Sequence, residues 1–176
     1  MKKVLFATLS VAAVLAGLVA SQRVAGATDA NGNYATYAWI IGATTPSDSA
    51  TAPDGSVIEL TGSGTLNAGP NHSANGGGTY SLTSAGSTTS GTWTADGAQG
   101  FVSYGPAGPA FPPGSTGGEA RLKVALDTGA TGVLTITCVL GSPPAGKSEG
   151  VTLVLGNGVS GEFTQSTEGN NVFILS

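Results

Sequence analysis

Cysteine and histidine are nearly missing from this chain: in 176 residues Cys138 and His72 each stand alone. A single cysteine forms no intramolecular disulfide, so stability has to come from a packed core. One His and one Cys would leave a zinc ion dependent on carboxylates, which excludes structural zinc and removes most histidine-based catalytic sets. Charge is also sparse, at 9% of residues, and no run of like charges occurs. Beyond the N-terminus no segment is apolar enough to span a membrane. No stretch of the chain carries a helical period of apolar residues.

The N-terminus reads as an export signal. Met1-Lys2-Lys3 is a short positive region, and Val4 to Ala20 is apolar apart from Thr8 and Ser10. Ala25-Gly26-Ala27 supplies a small-x-small cleavage site, giving a signal over residues 1–27 and a single mature domain over 28–176. An uncleaved anchor is the alternative, because about 17 apolar residues lie at the short end of membrane-spanning length. Leu15-Ala16-Gly17 is followed by Leu18 and not Cys, so the sequence predicts no lipid attachment. The expected location is outside the cell or in the periplasm. Cleavage removes Lys2, Lys3 and Arg23, leaving Arg121, Lys123 and Lys147 against ten acids, a net charge of −7. That balance argues against nucleic acid and anionic membrane as partners.

From Tyr34 onward, short β-branched, aromatic or aliphatic runs alternate with Gly, Asn, Asp, Pro and Ser. This pattern predicts an all-β chain of roughly ten short antiparallel strands, packed as an immunoglobulin-like or jelly-roll sandwich. Strands are expected at 34–41, 57–60, 79–82, 92–95, 101–104, 120–126, 133–140, 151–155, 162–165 and 172–175. Along the stretch 120–126, Ala120, Leu122, Val124 and Leu126 share one face while Arg121 and Lys123 share the other. The same parity in 134–140 places Cys138 toward the core as an inert thiol. Asn157-Gly158 and Asp96-Gly97 are dipeptides of tight hairpin turns. Residues 67–78 and the Pro-rich 105–118 resist strand assignment and read as long surface loops.

Several motifs look like chemistry. Gly141-Ser142-Pro143-Pro144-Ala145-Gly146-Lys147-Ser148 matches a phosphate-binding loop, but Pro143 and Pro144 delete two N–H donors, and β-branched residues follow where a helix is required. Gly146-Lys147-Ser148-Glu149-Gly150 matches a nucleophile elbow with the same missing helix and one histidine available, in a polar loop that predicts a solvated imidazole. Asp29-Ala30-Asn31-Gly32-Asn33 opens like a calcium loop, yet its sixth and twelfth positions are Tyr34 and Ile40. The sequence therefore predicts no metal and no cofactor. Glu59, Glu119, Glu149 and Glu162 are the pool for a carboxylate pair, with Glu59 flanked by Ile58 and Leu60 and so the first to check for burial.

Aromatic rings suit sugar stacking, but Trp39 and Trp93 alternate with aliphatics and read as core. Tyr104 and Phe111, which border or occupy the Pro-rich loop, are the candidate ligand-binding residues. The composition points to a secreted or cell-surface non-enzymatic domain, structural or recognising a glycan or protein through its loops. The alternative is an extracellular hydrolase, most plausibly a carboxylate-based glycosidase. A third reading is a self-associating subunit whose exposed terminal strand at 171–175 pairs with another chain.

Overall fold

The computed structural model describes residues 34–156 and 161–176. The expected signal peptide, the calcium-like segment and the Asn157-Gly158 turn lie outside the described residues. Among the described residues the chain is all-β and antiparallel. Eleven strands follow in order: β1 Thr36–Ile41, β2 Asp48–Thr51, β3 Val57–Asn67, β4 Ala74–Ser84, β5 Ser87–Pro106, β6 Ser115–Leu126, β7 Thr131–Cys138, β8 Gly150–Leu155, β9 Glu162–Phe163, β10 Gln165–Glu168 and β11 Asn171–Leu175.

All eleven belong to one hydrogen-bonded sheet, and its pairing path returns on itself. Strand β3 pairs β4, β4 pairs β5 and β5 pairs β6; β6 pairs β11, β11 pairs β1, and β1 pairs the second half of β3. The first half of β3 pairs β2 instead, while β6 passes the sheet on to β7 and β8. Strands β9 and β10 are separated only by Thr164. The first pairs β8 and the second pairs β2, which closes a second circuit at the other end. Closure of this kind removes free edges. It also corrects the expectation of an exposed terminal strand: β11 is hydrogen-bonded on both sides, to β1 and to β6.

The core explains why so much glycine is needed here. Trp39 on β1 and Trp93 on β5 are both buried and stack with ring centroids 5.8 Å apart and planes 22° apart. Their indole N–H groups donate to the carbonyls of Thr65 (3.3 Å) and Thr61 (3.0 Å) on β3. The residues that face these rings from β3 and β4 are Gly62, Gly64 and Gly76. A Cβ at Gly62 would lie 2.6 Å from Trp93 Cζ2, and one at Gly76 would lie 2.7 Å from Trp39 Cζ2. Glycine is thus the floor on which the two indoles rest. A second aromatic chain, Tyr37 to Phe101 (4.6 Å) to Phe173 (5.0 Å), ties β1, β5 and β11 together.

Two expected boundaries change for physical reasons. The glycine run Ala74–Gly78 is strand, so the loop expected over 67–78 shrinks to 68–73. Asp96-Gly97 is not a hairpin. The stretches 92–95 and 101–104 merge into the single 20-residue β5, and Asp96, Gln99 and Tyr104 are the extra residues where its register with β6 shifts. Such bulges bend a long strand around a closed sheet. The tight hairpin nearby is Ala85-Gly86, with φ of 49° and 79°, between the paired Ser84 and Ser87.

Trp39→Ala removes one ring of the central pair and leaves its glycine floor unfilled. Urea denaturation should show a loss of about 3–5 kcal/mol in unfolding free energy, with a parallel loss in Gly62→Ala, whose new methyl group collides with Trp93. A loss below about 1 kcal/mol in both would contradict this packing.

Candidate functional site

The connection between β7 and β8 folds over the outer face of the sheet. Ser142 N–H donates to the Tyr104 carbonyl (2.7 Å), and the Tyr104 hydroxyl donates to Glu119 Oε2 (3.4 Å). Lys147 also sits on Glu119, forming the sole ion pair among the described residues. Tyr104 is therefore buried beneath this connection, and burial together with the Glu119 charge pushes its phenol up to about 12. Its place is that of an anchor for residues 141–148. The phosphate-loop match ends in strand β8, with Lys147 engaged by a carboxylate, as the two prolines and the β-branched residues that follow dictate. The nucleophile-elbow match fails in the same way. Ser148 is exposed, while His72 lines a different depression with Gln99 and Val102. His72 itself departs from the expected solvated imidazole: it is half-buried, and its Nδ1 is sealed from solvent without a partner.

Phe111 is placed differently. The loop 107–114 is tied to the ends of β6 and β11 by Ala107 N–H to the Ser115 carbonyl (2.8 Å) and Leu175 N–H to the Gly114 carbonyl (2.9 Å). Within it Phe111 remains 45% exposed. Its ring borders a groove of about 360 Å3 whose apolar wall includes Pro112, Leu140, Val172 and Ile174, with Glu149, Asn170 and Thr44 as polar members. The two expected site aromatics thus do not form one platform. Phe111 faces this groove, and Tyr104 lies under the 141–148 connection.

Burial falls on Asp48, which the sequence did not single out, and on Glu149 of the expected carboxylate pool, and not on Glu59. Glu59 is exposed on β3, and Glu162 is exposed on β9. Asp48, by contrast, is fully buried at the start of β2, and Glu149 is half-buried just before β8. Asp48 Oδ1 accepts from Asn170 N–H (2.8 Å). Glu149 bridges two elements, with Oε1 accepting from Asn171 N–H and Oε2 from Val139 N–H, both at 2.7 Å. Burial raises the pKa of both carboxyls; the Glu168 charge raises that of Asp48 further, and the Asp48 charge raises that of Glu149. Asp48 Oδ2 and Asn171 Oδ1 are buried without hydrogen-bond partners.

A glycosidase needs two carboxyls that both reach one sugar. Here Asp48 is sealed in the fold, and both oxygens of Glu149 already accept backbone hydrogen bonds. The cluster therefore reads as the polar plug where β2, β7, β8 and β11 meet. No local sequence signal exists for it, since residues 48, 149 and 171 are neighbours only after the sheet closes. Cys138, at the end of β7, is buried as its parity predicts, and burial pushes its thiol up to about 11.

The direction of the Asp48 and Glu149 shifts sets a pH dependence. A carboxyl whose pKa is raised on folding binds more protons folded than unfolded, so its contribution to stability falls as pH rises from the ordinary carboxylate value upward. Relative to Asp48→Asn, the native chain should lose unfolding free energy as pH rises above about 4, seen as a difference in urea midpoint that widens with pH. Parallel pH curves for the two proteins would contradict it. No protein-family model, curated protein or solved structure matches this chain, and the chemistry of the site rests on its own geometry.

Proposed function

We propose that this chain is an exported, non-enzymatic domain that recognises a glycan, with Phe111 as its stacking surface. The supporting observation is the exposed Phe111 ring at the rim of a groove that also presents the polar groups of Thr44, Glu149 and Asn170. An aromatic face beside hydrogen-bonding groups suits the mixed apolar and hydroxylated surface of a sugar. Export is supported by the charged start, apolar run and small-residue cleavage site within Met1–Ala27. Jelly-roll-like, two-layered packing of the closed sheet belongs to the same reading, supported by the Tyr37, Phe101 and Phe173 rings that meet across its interior. A catalytic role is less well supported, because Glu149, the carboxylate lining this groove, has both oxygens engaged.

The mature chain, residues 28–176, should bind one class of saccharide on a glycan array. Phe111→Ala should weaken that binding by about fivefold or more while leaving the circular dichroism spectrum unchanged. A silent array, or equal binding by the variant, would contradict the proposal.

A further inference from the structure

The outer face of β6, β7 and β8 carries a second groove that has no part in the Phe111 reading. Its floor is set by strand register. Arg121 on β6 stands opposite Thr135 on β7, which stands opposite Thr152 on β8. One row along, Glu119 stands opposite Thr137, and Thr137 stands opposite Gly150. Gly150 has no side chain in the second row, and Ser166 of β10 packs against it instead. The far wall comes from the β9–β10 segment, with Thr164, Gln165 and Ser166. Lys147 closes the near side. The enclosed space is about 650 Å3. Glu119 and Arg121 also line a smaller depression of about 270 Å3 reaching toward His72 and Gln99, so the two form one track across four strands.

Three features of this track select its ligand. First, the described residues contain three cations, Arg121, Lys123 and Lys147, and two of them line the groove of a chain that is otherwise strongly acidic. Second, Lys147 is neutralised by Glu119, whereas the exposed Arg121 guanidinium has no carboxylate partner. A planar fork of N–H donors left open in this way matches a carboxylate or sulfate in bidentate geometry. Third, the remaining lining is dominated by hydroxyls and a carboxamide at the cross-strand repeat of about 4.8 Å. It offers no aromatic platform and no socket for an apolar side chain. Peptides commonly bind sheets by adding a strand at a free edge. Here β9 pairs β8 at Leu153 and Val154, and farther along Ser166 of β10 lies against Gly150 and donates to the Glu149 carbonyl, so the edge of β8 is covered.

We propose that the Glu119, Arg121 and Lys147 groove binds an extended anionic saccharide. Arg121 holds an acidic group, and the threonine rows of β7 and β8 exchange hydrogen bonds with successive sugar hydroxyls. Lys147 is the secondary contact, because the Glu119 carboxylate already holds it.

The test uses the mature chain with polygalacturonate, its fully methyl-esterified form and dextran sulfate as probes, read by isothermal titration at 20 and 200 mM salt. Polygalacturonate or dextran sulfate should bind, the esterified polymer should not, and raising the salt should weaken binding. Which of the two anionic polymers binds more tightly distinguishes a carboxylate from a sulfate ligand. Arg121→Ala should cost about 10- to 100-fold in affinity, and Arg121→Lys, which keeps charge but loses the fork, should recover only part of it. Lys123→Ala, on the same strand face but outside this groove, should bind as the native chain does. Equal binding of the esterified polymer, or full affinity in a folded Arg121→Ala, would overturn the proposal. A loss confined to Phe111→Ala would overturn it equally, placing the saccharide in the other groove.

Discussion

Two tryptophans lying on a glycine floor are the contact on which the rest of this protein depends. A closed sheet must fill its interior, and the widest side chains available have to fit where strands approach most closely. Trp39 and Trp93 supply the volume, and Gly62, Gly64 and Gly76 give up theirs to admit it. Each indole N–H reaches a carbonyl of β3, so the pair is fixed by hydrogen bonds as well as by packing. With no disulfide available, this wedge and the Tyr37, Phe101 and Phe173 contacts hold opposite strands in register.

Closure then determines where polar groups collect. At one end β11 is inserted between β1 and β6, and at the other the β9–β10 segment bridges β8 and β2. Each insertion brings chain ends together, and their unpaired backbone N–H groups need acceptors. Asp48 and Glu149 answer that need at Asn170, Asn171 and Val139, which is why two carboxylates are buried so close to one another. The same closure covers the edge of β8, by pairing with β9 at Leu153 and Val154 and by packing of Ser166 against Gly150. On the outer face of β6 to β8 the outward side chains of Arg121, Thr135 and Thr152 stand in register, and the loop at Phe111 forms a separate surface.

Regular alternation made part of this legible. The Ala120 to Leu126 and Leu134 to Leu140 patterns gave the correct faces for β6 and β7, including the buried Cys138 and the outward Arg121. Elsewhere local composition pointed away from the fold. Asp48-Ser49-Ala50-Thr51 has the makeup of a turn, yet it is β2 because β3 and β10 pair with it on either side. The glycines of β4 read as loop, since glycine is a poor strand former by itself, but a distant pair of indoles requires them. Asp96-Gly97 carries a hairpin signature, and the curvature of β5 uses it as a bulge. Of the two candidate aromatics, the sequence placed Phe111 on an exposed loop correctly. It had no means to foresee that residues 141–148 would fold over Tyr104.

The central claim is that β11 closes the sheet by pairing on both sides, and native-state hydrogen exchange at Val172, Phe173 and Ile174 tests it most directly. Consecutive amides along a doubly paired strand alternate between two partners, so all three should exchange slowly, at rates comparable with those of the neighbouring β1. Rapid exchange at alternate positions would mean that one side of β11 is open. The circuit, and the grooves whose placement depends on it, would then have to be abandoned.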